Sequence, residues 1–476
     1  MPDRPRREPD WLGVGDALER ILAAVRPVAA ETVPLGEALG RTLAAPVATP
    51  VDHPPWDNSA MDGFAVRAAD VRDASRAAPV TLAVVDDIAA GRFPARPIGP
   101  GEAARIMTGA PVPEGADSVV RIEHTDAWAP ANADARERTA RAGRAEPAAD
   151  APSAGATPER ADAGGGGRGA GGAPSHVRIF HDDDALHNVR RRGEDLRAGT
   201  VVLEPGRVLR AAEIGVLAAV GRASVRVYRR PRIAILSNGD ELVDLEDFDE
   251  VRAGRRIVNS NGYALAAAVR SAGCEPVPLG IARDDDDDLR RHLERATGAD
   301  ALVTTAGASV GAHDRVKDVL EAMGFTLDFW RVRMRPGSPF SFGWLDRLPV
   351  FGLPGNPVSA LVTFEVLVRP ALRRMLGRRA VHNPTITVSA AEPIPGADRS
   401  THFPRARIEP DGAGGVRARL TGPQGSGILT SMAEADALLV VPAGVATVPA
   451  GQSVTAIPLP ALDPAQPNPA QPAGTT

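Results

Sequence analysis

The stretch RIAILSNGDEL at residues 232–242, followed by VPLGI at 277–281, ALVTT at 301–305 and VFGL at 350–353, decides how the chain folds. Each is a short apolar run closed by Gly, Pro or polar residues, the pattern of a strand buried on both faces. NSNGYALAAAVRSAG at 259–273 reads as a helix with Asn or Ser at its cap and Gly at its end, and LRRHLERA at 289–296 and DRVKDVLEAMG at 314–324 read as further helices. This alternation predicts a parallel sheet with covering helices over 232–375.

In such a sheet, ligands bind beyond the carboxyl ends of the strands. The segments that follow the four strands are SNGDEL, ARDD, AGASVGAHD and PGNPVSA. Each joins small residues, which admit a ligand to the backbone, with a carboxylate or amide. Glu241, Asp284 and Asp314, together with Ser309 and backbone N–H groups, suit a phosphorylated ligand bridged to the protein by a hard divalent cation. Plainer readings stand beside this one. The run Asp284 to Asp288 also suits a helix start, where carboxylates meet the positive end of the dipole. Gly239 and Asp240 also fit a simple turn, and LPGNP at 353–357 a stiff turn that opens a helix at Pro357. His313 fits a surface histidine, and Cys274 a small apolar residue.

Outward from this centre, Leu12, Val14, Leu18, Ile21, Leu22 and Val25 recur at helical spacing until Pro27, predicting an opening amphipathic helix. Short β-like runs punctuated by Gly and Pro extend to about Thr125, including 80–85 and 116–122. From 127 to 175 large apolar residues almost vanish, so little burial is left to offset the entropy of ordering; we expect a disordered insertion whose GGGGRGAGG is a linker and not a dinucleotide fingerprint. Residues 386–457 return to short β-like runs, among them the alternating 402–408, and predict a small separate β domain before a Pro- and Ala-rich tail.

At 476 residues the chain is too long for one ordinary core. Its formal charge of −5 lacks the basic excess of a phosphate-backbone binder, which argues against nucleic acid as partner. The single cysteine excludes an internal disulfide and a thiolate-rich metal site. With no signal-like start and no apolar run of about eighteen residues, the expectation is a cytoplasmic protein without a membrane partner. Lys317 is the sole lysine, and its setting GAHDRVKD is not a phosphate loop.

Taken in order, NSAMDGFA (58–65), RIMTGA (105–110), RRRGED (190–195), NGDEL (238–242), GASVGAHD (307–314) and LPGNPVSA (353–360) resemble the signature motifs of the molybdopterin molybdenumtransferases, the family of MoeA and the E domain of gephyrin. The resemblance spans about 11–458. It implies a segmented N-terminal domain (11–50 and 182–228), an inserted mostly β domain (51–181), a central doubly wound α/β molybdopterin-binding domain (229–381) and a C-terminal small β-barrel-like domain (382–460), with 461–476 as tail. It implies a homodimer that inserts molybdenum from molybdate into adenylylated molybdopterin with release of AMP, assisted by Mg2+. The pathway's adenylyltransferase and receiving molybdoenzymes would be further partners. By the same resemblance Glu241 and Asp314 look like the metal-holding carboxylates, and Asp62, Thr108 and Asp195 like catalytic groups. Arg192, Asp284, Ser309, Lys317, Arg335, Ser338, Pro354, Gly355, Asn356, Arg405 and Ser426 look like substrate-binding positions. Three departures stand out: Asn238 replaces a threonine, Ala306 and Ala308 replace a glycine and a valine, and RPGSP at 335–339 replaces a loop that normally holds two lysines. The last leaves open a pterin-binding or scaffold paralogue without metal insertion, and a tungsten-inserting homologue also fits.

Overall fold

The computed structural model describes residues 11–128, 175–305, 315–412 and 414–459. The expected disordered insertion falls almost wholly on 129–174, the serine loop on 306–314 and the tail on 460–476, all outside the described residues. Two compact units emerge, 47–202 on one side and 1–46 with 203–476 on the other.

The larger unit is built on six strands, β1 (Arg232–Asn238), β2 (Glu275–Ala282), β3 (Ala301–Thr304), β4 (Phe325–Trp330), β5 (Ser341–Leu345) and β6 (Leu348–Gly352), in the spatial order β2-β1-β3-β6-β5-β4. The first four in this order run parallel, as the alternation of strand and helix predicts. The sheet is nevertheless mixed, because β5 and β4 continue it antiparallel. Those two strands escaped the sequence reading: they carry FTLDFW and SFGWL, and the Pro- and Gly-rich 336–339 between them breaks any period.

Successive side chains on a strand point to opposite faces, and here both faces are covered. Ile233, Ile235, Val303 and Phe351 pack under the helices Val14–Ala24, Ser260–Ala272 and Pro357–Thr363. Ala234, Leu236, Leu302 and Val350 pack under Asp286–Glu294 and Arg315–Ala322. The sheet is thus doubly wound. The helix expected at 259–273 is capped as its sequence demands, with the Asn259 side chain accepting from the Gly262 N–H and Gly273 closing it at φ 95°.

The C-terminal segment closes into a five-stranded barrel through Ile386–Ala390, Val416–Leu420, Arg405–Pro410, Ala437–Val440 and Ser453–Pro458. Its interior is filled by small and branched residues such as Ala406, Ala418, Leu439 and Val454. The smaller unit holds a mixed five-stranded sheet in the order Ser118–Arg121, Gly63–Val66, Glu102–Ile106, Val80–Ile88 and His176–Ile179. No helix among the described residues is long and apolar enough to cross a membrane.

Candidate functional site

Because β2, β1, β3 and β6 are parallel neighbours, their carboxyl ends lie side by side at one edge of the sheet. The backbone locks these ends together: Gly239 N–H donates to the Ala282 carbonyl at 3.2 Å, Thr305 N–H to Leu236 at 3.0 Å and Leu353 N–H to Thr304 at 2.8 Å. Gly239 sits at φ 147°, in the region that favours glycine, and the Glu241 carboxylate folds over its Cα so closely that a Cβ there would lie 2.4 Å from Oε2. Glu241 and Asp284 are both exposed at this edge. Asp284 is tethered, its Oδ1 accepting from Asn238 Nδ2 at 2.6 Å. An open cavity of about 790 Å³ is lined by their chain neighbours Gly239, Asp240 and Arg283, and by Asp244, Glu250 and Arg256 among others. The carboxylates of Glu241 and Asp284 are hard oxygen donors, the chemistry that Mg2+ prefers. Ser309 and Asp314 lie outside the described residues. Among the described residues no group of three or more His, Cys, Asp or Glu side chains is placed to hold a metal by itself.

Farther along the same edge, Asn356 opens the helix Pro357–Thr363 with proline at its first turn. Gly355 is fixed from the neighbouring helix, whose Asn261 Nδ2 donates to its carbonyl at 2.7 Å. Pro354 is buried, whereas Gly355 and Asn356 are exposed. The barrel reaches this turn through the Val358 N–H, which donates to the Ser426 carbonyl at 3.1 Å.

A second link from the barrel holds the RPGSP loop. Met334–Arg335 pairs in parallel with Thr401–His402, and Phe403 N–H donates to the Arg335 carbonyl at 2.8 Å. Arg335 is exposed and Ser338 half-buried. Arg405 is fully buried: its guanidinium donates to Ser431 Oγ at 3.1 Å and to the Gly425 carbonyl at 3.0 Å, and its Nη1 has no partner. Among the described residues no carboxylate pairs with it, and burial pulls its pKa below the usual arginine value. His402 is likewise held below the ordinary histidine range, by burial foremost and by the charges of Arg335 and Arg405, against the opposing hydrogen bond to the Pro395 carbonyl. The loops of Arg335, Ser426 and Gly355 are therefore drawn together by main-chain bonds between barrel and α/β domain. Lys317 sits on Arg315–Ala322, where it pairs with Glu321 at 3.5 Å.

The remaining expected residues lie in the smaller unit. Asp62 Oδ1 accepts from the Thr108 N–H at 2.7 Å and from its hydroxyl at 2.8 Å, and these bonds, the backbone one foremost, hold the Asp62 carboxyl below the usual carboxylate range. Arg192 donates from Nε to Asp52 at 2.6 Å and from its backbone to Asp57 at 2.7 Å. Asp195 is exposed, with its N–H on the His53 carbonyl at 3.1 Å. Sequence reasoning missed Asp52, Asp57, Asn261 and Ser431, which hold expected site residues in place; only Asn261, inside the helix-cap run NSNG, left a local signal.

A doubly wound α/β domain with carboxylates at its strand ends, joined to a small barrel whose main chain bonds to the neighbouring loops, defines a multidomain protein with a candidate ligand site at that edge. Family descriptions match along nearly the whole chain: the MoeA N-terminal region (domain I and II) at 12–221, a probable molybdopterin binding domain at 234–374 and the MoeA C-terminal region (domain IV) at 387–459. A molybdopterin molybdenumtransferase of Nostoc sp. is 35% identical over 442 residues, covering 90% of this chain and 89% of the relative. Molybdopterin molybdenumtransferase 2 of Mycobacterium tuberculosis is 36% identical over 437 residues, covering 90% and 95%. The crystal structure of a molybdopterin biosynthesis MoeA protein from Pyrococcus horikoshii superposes with a TM-score of 0.73 at 26% identity, covering 94% of this chain and all of that one. The chain belongs to the MoeA family of molybdopterin molybdenumtransferases, and with it to the transferases.

Proposed function

We propose that this protein inserts molybdenum from molybdate into adenylylated molybdopterin and releases AMP. The observation that carries the reading is the strand-end edge itself, where Glu241, Asp284 and the Pro354–Asn356 turn follow the parallel strands β1, β2 and β6, with an open cavity lined by Gly239, Asp240 and Arg283, the chain neighbours of Glu241 and Asp284. Glu241 and Asp314 would hold a divalent cation, Mg2+, which would supply positive charge to the pyrophosphate oxygens. Gly355 and Asn356 offer exposed backbone to the pterin and nucleotide. Arg335, Ser338 and Ser426 form the oxyanion end, where Arg335 brings a permanent charge in a planar fork; the fully buried Arg405 serves it indirectly, its guanidinium donating to the Gly425 carbonyl beside Ser426. By the motif resemblance alone, Asp62, Thr108, Arg192 and Asp195 would take part in the reaction, and the protein would be a cytoplasmic homodimer.

The decisive experiment incubates the purified protein with adenylylated molybdopterin, Mg2+ and molybdate, then measures AMP release and reconstitution of a cofactor-free molybdoenzyme. Asp314→Asn keeps the shape and removes the charge, so AMP release should fall at least about a hundredfold. Absence of AMP release by the unaltered protein, with pterin still bound, would favour the scaffold reading, which the missing lysines of RPGSP support. Tungstate in place of molybdate tests the tungsten alternative directly.

A further inference from the structure

Asn238 ends β1 at the centre of the strand-end edge, half-buried, with its backbone registered against Ala282 on β2. Its Nδ2 donates to Asp284 Oδ1 at 2.6 Å, while its own Oδ1 is buried and without a partner among the described residues. Turning the amide over would set one oxygen against another, so the bond to Asp284 fixes the orientation that strands the carbonyl. A buried acceptor left unpaired is a standing cost to stability, and such groups are rare enough in folded proteins to require a reason. Asp284 itself is exposed, and among the described residues its backbone N–H makes a long 3.4 Å bond to Asp240 Oδ1. Without Asn238 its carboxylate would be free to turn about its side-chain torsions.

We propose that Asn238 is a positioning residue for the transfer reaction, holding the Asp284 carboxylate in the one orientation that meets the substrate, and that the stranded carbonyl is the cost of that function. The inference rests on the reading of this edge as the pterin and pyrophosphate site. Fixing a group in its reactive orientation raises the fraction of bound complexes that can react, so its loss falls on kcat more than on KM.

The test compares Asn238→Leu and Asn238→Asp in the full-length protein. Leucine is close to asparagine in shape, lacks the donor and also removes the stranded oxygen. Asn238→Leu should therefore lower kcat for AMP release about tenfold, leave KM within about twofold and leave Tm unchanged or raised. Asn238→Asp, nearly isosteric but presenting a second carboxylate to Asp284, should lose at least as much activity. In an Asp284→Ala background, Asn238→Leu should cost nothing further, because the residue it positions is gone. Additive losses, unchanged kcat in Asn238→Leu, or a fall in Tm that tracks the fall in activity would overturn the proposal. Should the unaltered protein release no AMP, the functional reading fails by itself, and the inference is judged by the crystal structure of Asn238→Leu. An Asp284 side chain that keeps its place there refutes it, and one that swings away or loses order supports it.

Discussion

At the scale of single residues, hydrogen bonds more than ion pairs set the state of the site. Asp62 accepts twice from Thr108, and a carboxyl whose folded pKa is depressed contributes stability that is present above its unfolded value and lost as pH falls through the folded one. The Thr108 amide resonance should therefore titrate with a midpoint below the ordinary aspartate value of about 3.9, and in Asp62→Ala it should not titrate at all. A midpoint above that value would show that the pairing does not persist in solution. The RPGSP loop gives a second residue-scale test. Arg335 keeps a full charge toward an oxyanion, whereas Ser338 offers one neutral hydroxyl where relatives are expected to have an ammonium. In the proposed reaction, Ser338→Lys should reduce the molybdate concentration needed for half-maximal rate by roughly fivefold, and Arg335→Ala should raise it, with pterin affinity unchanged in both. If Arg335→Ala left molybdate dependence untouched, this loop would not be the oxyanion site.

At the scale of elements, the loops depend on backbone positions that tolerate no side chain. Gly337, at φ 106°, carries the turn between Arg335 and Ser338, and a Cβ on it would lie 2.3 Å from Thr363 Oγ1. Gly337→Ala therefore meets both backbone strain and a clash with a helix residue whose hydroxyl already donates to Ser359 O. The expected loss is about 1–3 kcal/mol by denaturant unfolding, part of which Gly337→Ala with Thr363→Ala should recover, since the clash goes and the φ strain stays. Equal stability of the single and double variants would put the whole cost in the backbone. Several elements were legible because their signals are local: Asn259 and Gly273 cap one helix, and Pro357 starts another. The hairpin of β4 and β5 was not, because what makes it a strand pair is packing between its side chains and a neighbouring strand. Phe342 rests on Phe351 of β6 at 5.2 Å between ring centroids and on Phe329 at 5.8 Å, contacts made across chain reversals that the spacing of apolar residues does not mark.

At the scale of the whole molecule, one hydrophobic core runs through the larger unit from Ala17 and Ile21 of the opening helix, through Phe340, Phe351 and Leu367, to Phe403, Leu438 and Ile457 of the barrel. Ile21 is fully buried in it. Ile21→Ala should thus destabilise the α/β domain as well as its own helix, by about 3 kcal/mol, lowering the Tm read from the near-ultraviolet signal of Trp330 and Trp344 together with that read from far-ultraviolet helicity. Separate transitions would mean that the opening helix is an appendage. Cys274 belongs to the same core, where burial pushes its thiol up to about 12, and it should resist alkylation until the unit unfolds.

The sequence by itself determined the strand and helix alternation, the doubly wound class, the caps and the identity of the carboxylate and amide loops, because each rests on composition or spacing within a few residues. It also showed, through ordered motifs, which family to expect. Only the tertiary structure decided that the barrel's main chain grips the RPGSP and LPGNP loops, that Arg405 is buried on Ser431 with an unused donor, and that Asn238 turns its amide to Asp284. Those outcomes join residues from 20 to 68 positions apart, such as Arg405 to Gly425 and Arg335 to Phe403. Hydrogen-bond direction and burial are properties of the packed chain, set by which segments the sheet and the shared core bring side by side, and no local pattern encodes them.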